Sequence, residues 1–302
     1  MIQNNIRRVK KWYIYHILDP IGHKIFQNKA EEIDTVVVLV GPYRNLTTLI
    51  ASAMALHPNC RVLNHAGSRI LGKEKIDFLK ENSARTFQNF KRFALYASLG
   101  GAKGNFGGSI FHSHAFDNPM IKQKAANQKL LKEGTIKSLL WKESLLVTNY
   151  LRDKNISTDS LIRKIPSIKF LMPIRNPLAC AKSNWDKGKY EEYYKNCNTY
   201  EDVLKSIVQD YRWYLNQKRL NPDHFLHFYE DSINEETLRK ICDFIHIQYY
   251  EDWGVFILEN MMPSKSYQFD QTKKNALMRI LESNLKDYPD FKNRIIEIAE
   301  IK

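Results

Sequence analysis

The segment Thr35–Val40, TVVVLV, presents no polar face. Such a run cannot lie half exposed; it reads as a central strand of a parallel sheet, buried on both sides. A loop, Gly41–Leu46, follows, and then a helical stretch, Thr47–Leu56. Strand, loop and helix in this order open a βαβ unit. Further short strands are expected at Arg61–Leu63, Ser109–Ser113, Ile168–Ile174 and Phe225–Tyr229. Helical stretches are expected near 67–99, 119–131, 141–153, 177–190, 199–219 and 234–247, with one or two closing helices over 271–302 interrupted at Pro289. Alternation of this kind predicts a mostly parallel α/β sheet with helices on both faces.

Composition narrows the possibilities. At 302 residues and 43% hydrophobic, the chain can bury a sizeable core and is not disordered. No run approaches the ~20 apolar residues that span a bilayer. Trp12–Ile21 is broken by His16, Asp19 and Pro20, so no signal peptide is expected. The four cysteines form no CxxC pair and suit a reduced compartment better than a disulfide framework or a metal site. Residues 1–34 read as a basic, aromatic appendage to a single domain over 35–302. Within it, Ile6–Leu18 either lies on an anionic membrane surface or packs on its own domain. Gly100–Gly108 holds five of the twelve glycines and is either a connector or a gate over a cleft. The net charge of +13 attracts polyanions or phosphorylated and sulfated small molecules.

The loop Gly41-Pro42-Tyr43-Arg44-Asn45-Leu46-Thr47-Thr48 stands where a phosphate-binding loop stands. Unpaired N–H groups and the helix dipole favour an anion there. Thr47 and Thr48 add hydroxyl donors, and Arg44 a cationic fork. Compared with G-x-x-x-x-G-K-[ST], Leu46 replaces the second glycine and Thr47 the lysine. A P-loop NTPase-like sheet is therefore expected without the triphosphatase lysine.

This loop resembles the 5′-phosphosulfate loop of sulfotransferases that use 3′-phosphoadenosine 5′-phosphosulfate (PAPS), matched at Arg44, Asn45, Thr47 and Thr48, with Leu46 in place of the usual glycine. A second element follows the strand Ile168–Ile174. Arg175-Asn176-Pro177, with Ser183 eight residues after Arg175 and Trp185 beyond, resembles the family's R-x-P-x5-S site for the 3′-phosphate. Asn176 suits a helix N-cap and Pro177 the first turn. Leu56-His57-Pro58-Asn59, Trp141-Lys142-Glu143-Ser144, Phe228-Tyr229-Glu230-Asp231 and Pro263-Ser264-Lys265-Ser266 resemble further elements of the Golgi-type and tyrosyl-protein branch. The resemblance covers roughly residues 35–270. It implies PAPS as donor, PAP as product and no metal. It also implies a donor site drawing on Arg44, Asn45, Leu46, Thr47, Thr48, Arg175, Ser183, Tyr229 and Lys265.

Sulfuryl transfer resembles phosphoryl transfer, in which positioning and charge stabilisation carry the rate. Arg44 suits the bridging oxygen as charge develops there. By resemblance, Lys142 helps on the same group. The acceptor hydroxyl needs a base. His65 stands where the tyrosyl-protein branch has a glutamate, and His114, in Phe111-His112-Ser113-His114, resembles the K-T-H histidine of cytosolic sulfotransferases. Both remain open, with His112 behind them.

The leading expectation is a sulfotransferase acting on a hydroxyl acceptor, with a carbohydrate or glycoconjugate favoured by the basic charge. The alternatives are another P-loop-like transferase, such as a small-molecule kinase, and a non-catalytic polyanion binder. Nucleic acid is not expected as a partner. The sequon Asn45-Leu46-Thr47 lies inside the donor loop, where a glycan would block binding, which favours a cytoplasmic location.

Overall fold

The computed structural model describes residues 19–100, 107–131, 135–188, 197–262 and 268–300. Ile6–Leu18, most of the glycine-rich loop and Lys265 lie outside these residues. Six strands form one sheet in the order β3-β2-β4-β1-β5-β6. They are β1 Thr35–Leu39, β2 Cys60–Asn64, β3 Gly108–Ser109, β4 Ser138–Lys142, β5 Ile168–Ile174 and β6 Phe225–Tyr229. All pairings are parallel except β2 with β3.

The unbroken apolar runs are explained by alternation across the sheet. Val36 and Val38 enter one core with Leu139, Trp141, Phe170 and Phe225, while Val37 and Leu39 enter another with Leu140, Leu171 and Phe228. Each face has its own helices. Ala84–Ala97, Leu145–Asp153, Tyr200–Leu220, Gln271–Asn284 and Pro289–Ile298 cover the first. Thr47–Ala55, Glu235–Phe244 and Glu251–Asn260 cover the second. The expected α/β sheet, covered on both faces, is the one observed. Ala30 and Ile33, in the stretch ahead of β1, are buried in the first core.

Several elements differ from the sequence reading. The stretch 141–153, expected as helix, splits into the end of β4 and the helix Leu145–Asp153. A five-residue buried strand, Ser-Leu-Leu-Trp-Lys, running almost directly into a helix gives no periodicity that separates the two. The stretch 67–99 is three helices, Gly67–Ile70, Phe78–Glu81 and Ala84–Ala97. Asp77 and Ser83 each start a new helix by accepting a backbone N–H from Lys80 and Thr86. Of the strand expected at Ser109–Ser113, only Gly108–Ser109 pairs; two 3₁₀ turns, Ile110–His112 and His114–Phe116, take over. Pro173 is tolerated inside β5 because β1 last pairs with it at Leu39 and Leu171, two residues earlier.

The parallel register brings five chain segments to one edge. β1, β2, β4, β5 and β6 all end there, followed by Arg44, His65, Glu143, Arg175 and Glu230 in their respective loops. Ligands of open α/β sheets bind in the crevice outside the carboxyl ends of the strands.

Candidate active site

The loop after β1 is held in a left-handed shape. Arg44 has φ 62° and Leu46 has φ 60°, so Leu46 keeps the backbone conformation that favours glycine. A non-glycine residue held there at a cost of ~1–3 kcal/mol persists only when its surroundings fix it. Here they do. Asn45 is fully buried; its side-chain amide donates to the Pro173 carbonyl, and its Oδ1 accepts from the Arg175 N–H at 2.9 Å. The Gly41 N–H donates to Thr148 Oγ1 at 2.8 Å. The Tyr43 carbonyl accepts from Asn184 Nδ2 at 2.8 Å and from the Cys180 thiol. Gly41, at φ 100°, is needed because a Cβ there would come within 2.8 Å of the Met172 side chain.

The helix Thr47–Ala55 begins without a side-chain cap. Its first-turn N–H groups, with the partly exposed Thr48 hydroxyl, carry the partial positive charge of an uncapped helix start. The helix start after β5 forms as the sequence predicts. Asn176 Oδ1 accepts from Leu178 N and Ala179 N at 3.0 and 3.3 Å, and Pro177 occupies the first turn. Arg44 Nε donates to Ser183 Oγ at 3.0 Å, joining the two motifs across 139 residues. Arg175 Nε lies 3.4 Å from Glu230 Oε2. Burial raises the Glu230 carboxyl above its ordinary pKa, and Arg175 works against that rise.

A cleft of about 220 Å³ is lined by Arg44, Thr47, Thr48, His114, Lys142 and Arg175 among others. An adjoining opening of about 300 Å³ shares Arg44, Thr48, His114 and Lys142 and adds His65 and His112. Lys142 is 6% exposed, and burial pushes its ammonium down to about 8, with Glu143 opposing and Arg44 reinforcing the shift. Its Nζ lies 3.3 Å from His65 Nε2. On the other side of the ring, His65 Nδ1 lies 3.5 Å from Glu143 Oε1, and Glu143 Oε2 accepts the Gly67 N–H at 2.7 Å. His112 and His114 are exposed on the 3₁₀ turns.

Arg44, Asn45, Leu46, Thr47, Thr48, Lys142, Arg175 and Ser183 are thus brought together, with both candidate bases beside them. Tyr229 is not. Its hydroxyl lies 3.4 Å from His227 Nε2, Arg294 sits over its ring, and it lines a cavity of about 790 Å³ that shares no residue with the cleft. Its neighbour Glu230 reaches the clamp instead, because adjacent residues leaving a strand point to opposite sides. His57, from the H-P element, is fully buried and packs on Trp253, with Nε2 2.9 Å from the Gln248 carbonyl. Glu143 was legible only as part of a motif, and nothing local tied it to His65.

Three convergent cations, an uncapped helix start and a threonine pair fit a donor bearing phosphate and sulfate groups. Among the described residues, no group of three or more His, Cys, Asp or Glu could hold a metal.

No protein-family model matches the chain, and no curated protein matches it. Among solved structures it is similar to mouse sulfotransferase SULT7A1 complexed with PAP, at TM-score 0.48 and 12% identity over 90% of each chain. It is also similar to sulfotransferase STF9 from Mycobacterium avium, at TM-score 0.44 and 12% identity over 88% of this chain and 81% of that one. A third likeness is the sulfotransferase domain from the Synechococcus PCC 7002 olefin synthase, at TM-score 0.41 and 15% identity over 82% and 93%.

Proposed function

We propose that the chain transfers a sulfuryl group from PAPS to a hydroxyl acceptor, leaving PAP. The observation that carries this reading is the meeting of the two clamps. The Arg44 loop and the Arg175–Ser183 element face one cleft and are hydrogen-bonded to each other at 3.0 Å. In this reading Thr47, Thr48 and the helix start hold the 5′-phosphate, and Arg175 and Ser183 hold the 3′-phosphate. Arg44 and Lys142 stabilise charge developing on the bridging oxygen. PAPS supplies an activated sulfuryl group; the protein's part is to orient it, exclude water and accept the acceptor's proton. A kinase is disfavoured because Thr47 stands where the P-loop lysine would be.

A basic surface of net charge +13 favours an acidic carbohydrate or glycoconjugate as acceptor, and the sequon in the donor loop favours the cytoplasm. No helix among the described residues is long and apolar enough to cross a membrane. A peripheral membrane contact through residues 6–18 belongs to the same proposal. The direct test is transfer of ³⁵S from labelled PAPS onto a panel of saccharides, glycolipids and phenols. Labelling of a saccharide is the expected result, and no labelling of any acceptor would contradict the activity.

Lys142 makes this activity pH-dependent. Its ammonium, already pushed down to about 8, is lost from the donor-free enzyme as pH rises through that value. Anionic donor favours the charged form, so binding moves the loss to higher pH. The expected result is a kcat/KM for PAPS that falls about tenfold per pH unit well above 8, while kcat holds its plateau further into alkali. A kcat/KM flat to pH 9.5 would remove Lys142 from the reaction.

A further inference from the structure

The histidine after β2 sits between two groups that impose the same tautomer. Glu143 Oε1 lies 3.5 Å from Nδ1, a carboxylate that accepts and cannot donate. Lys142 Nζ lies 3.3 Å from Nε2, an ammonium that donates and cannot accept. Both demand a proton on Nδ1 and a lone pair on Nε2. Glu143 is fixed in turn, since its second oxygen takes the Gly67 N–H at 2.7 Å and its side chain is 6% exposed. The ring is also held from its backbone. The His65 carbonyl accepts the Trp141 indole N–H at 2.7 Å, and its N–H donates to the Lys142 carbonyl at 3.0 Å. His65 and Ala66 are consecutive left-handed residues at φ 60° and 80°, strain of the kind that clusters at functional sites. His114, the other candidate, lies exposed on a 3₁₀ turn.

We propose that Glu143 is a positioning residue that fixes His65 as the base for the acceptor hydroxyl, with Lys142 covering the basic nitrogen until the donor arrives. The proposal rests on the sulfuryl-transfer reading above. The donor's anionic groups draw the Lys142 ammonium away from Nε2 and onto themselves, which frees the lone pair. The acceptor oxygen then forms its bond to sulfur while its proton passes to Nε2. The bond between sulfur and the bridging oxygen breaks, and PAP leaves with that electron pair. His65 becomes an imidazolium, which the Glu143 carboxylate stabilises across a distance that shortens once charge is present. The proton returns to water after the product departs. The charged and titratable groups facing His65 are Glu143 and Lys142, with Arg44, His112 and His114 lining the same opening.

The test is Glu143→Gln. The Gly67 N–H still requires an oxygen, so the amide nitrogen of the glutamine must face His65 Nδ1. Nδ1 then becomes an acceptor and, once a bound anionic nucleotide has drawn Lys142 away, the ring proton moves to Nε2. Nitrogen-15 NMR of the full chain saturated with PAP, with the His65 signals assigned through His65→Ala, should report Nδ1–H in the wild type and Nε2–H in Glu143→Gln. PAP affinity should be unchanged in Glu143→Gln, and kcat with the best acceptor of the ³⁵S panel should fall on the order of 10⁴-fold, as for a base held in the wrong tautomer. The double variant with His65→Ala should lose no more than His65→Ala alone. The same tautomer in both proteins overturns the proposal, as does a kcat that survives Glu143→Gln or that is abolished by His114→Ala and not by His65→Ala. A tautomer that switches in a protein that labels no acceptor overturns the sulfuryl-transfer reading and leaves the Glu143–His65 pairing standing.

Discussion

Arg44→Ala will lower sulfuryl transfer on the order of 10³-fold, the cost of removing one preorganised donor from the site of developing charge. The fold should survive it. Arg44 lies in a loop, is partly exposed, and gives up one hydrogen bond, to Ser183 at 3.0 Å. The loop itself is anchored elsewhere, through the fully buried Asn45 and through the Tyr43 carbonyl. Thermal unfolding should therefore shift by only a few degrees, the size of a ~1 kcal/mol change. Lys142 remains as a cation in the cleft, so PAP should bind within about tenfold of the wild type while turnover collapses. A variant that turns over normally would remove Arg44 from the reaction, whatever its affinity for PAP.

Arg175→Ala acts on binding instead. Arg175 leaves the end of β5 toward the cleft and lies 3.4 Å from Glu230. Truncation removes the cation assigned to the 3′-phosphate and leaves a carboxylate, 18% exposed, facing that phosphate without its guanidinium. Losing one partner of such a charge pair typically costs ~2–5 kcal/mol, so PAP affinity should fall by at least about thirtyfold. Affinity for adenosine 5′-phosphate, which has no 3′-phosphate, should change little. Calorimetric titration of both nucleotides separates the two cases, and equal losses for both would show that Arg175 acts on the loop as a whole rather than on the 3′-phosphate.

The parts of this site that were legible in the sequence are those carried by short-range signals. The β-branched run of β1, the glycine and threonines around its loop, and Asn176-Pro177 at a helix start each announce themselves within a few residues. What was hidden depends on pairing. β4 joins β1 to β2, and its register sets Asn64 against Lys142, which brings His65 beside Glu143. Its five residues run into the helix at Leu145, so the strand, and with it the Glu143–His65 contact, had no local signature. Tyr229 and Glu230 show the same limit at a finer scale. The motif was visible, but which of two neighbours turns toward the cleft is decided where β6 ends against β5. Leu46 taught the opposite lesson. Its side chain departs from the resemblance while its backbone keeps the left-handed shape, because Asn45 ties the loop to the end of β5.

The central claim is that the Arg44 loop and the Arg175–Ser183 clamp grip the two ends of one adenosine bisphosphate. Calorimetry of the wild-type chain with PAP and with adenosine 5′-phosphate tests it directly. The account predicts one site per chain and at least about tenfold tighter binding of PAP, the ~1.4 kcal/mol expected from a 3′-phosphate held by a cation. Equal affinity for the two nucleotides, or no binding of either, would contradict it.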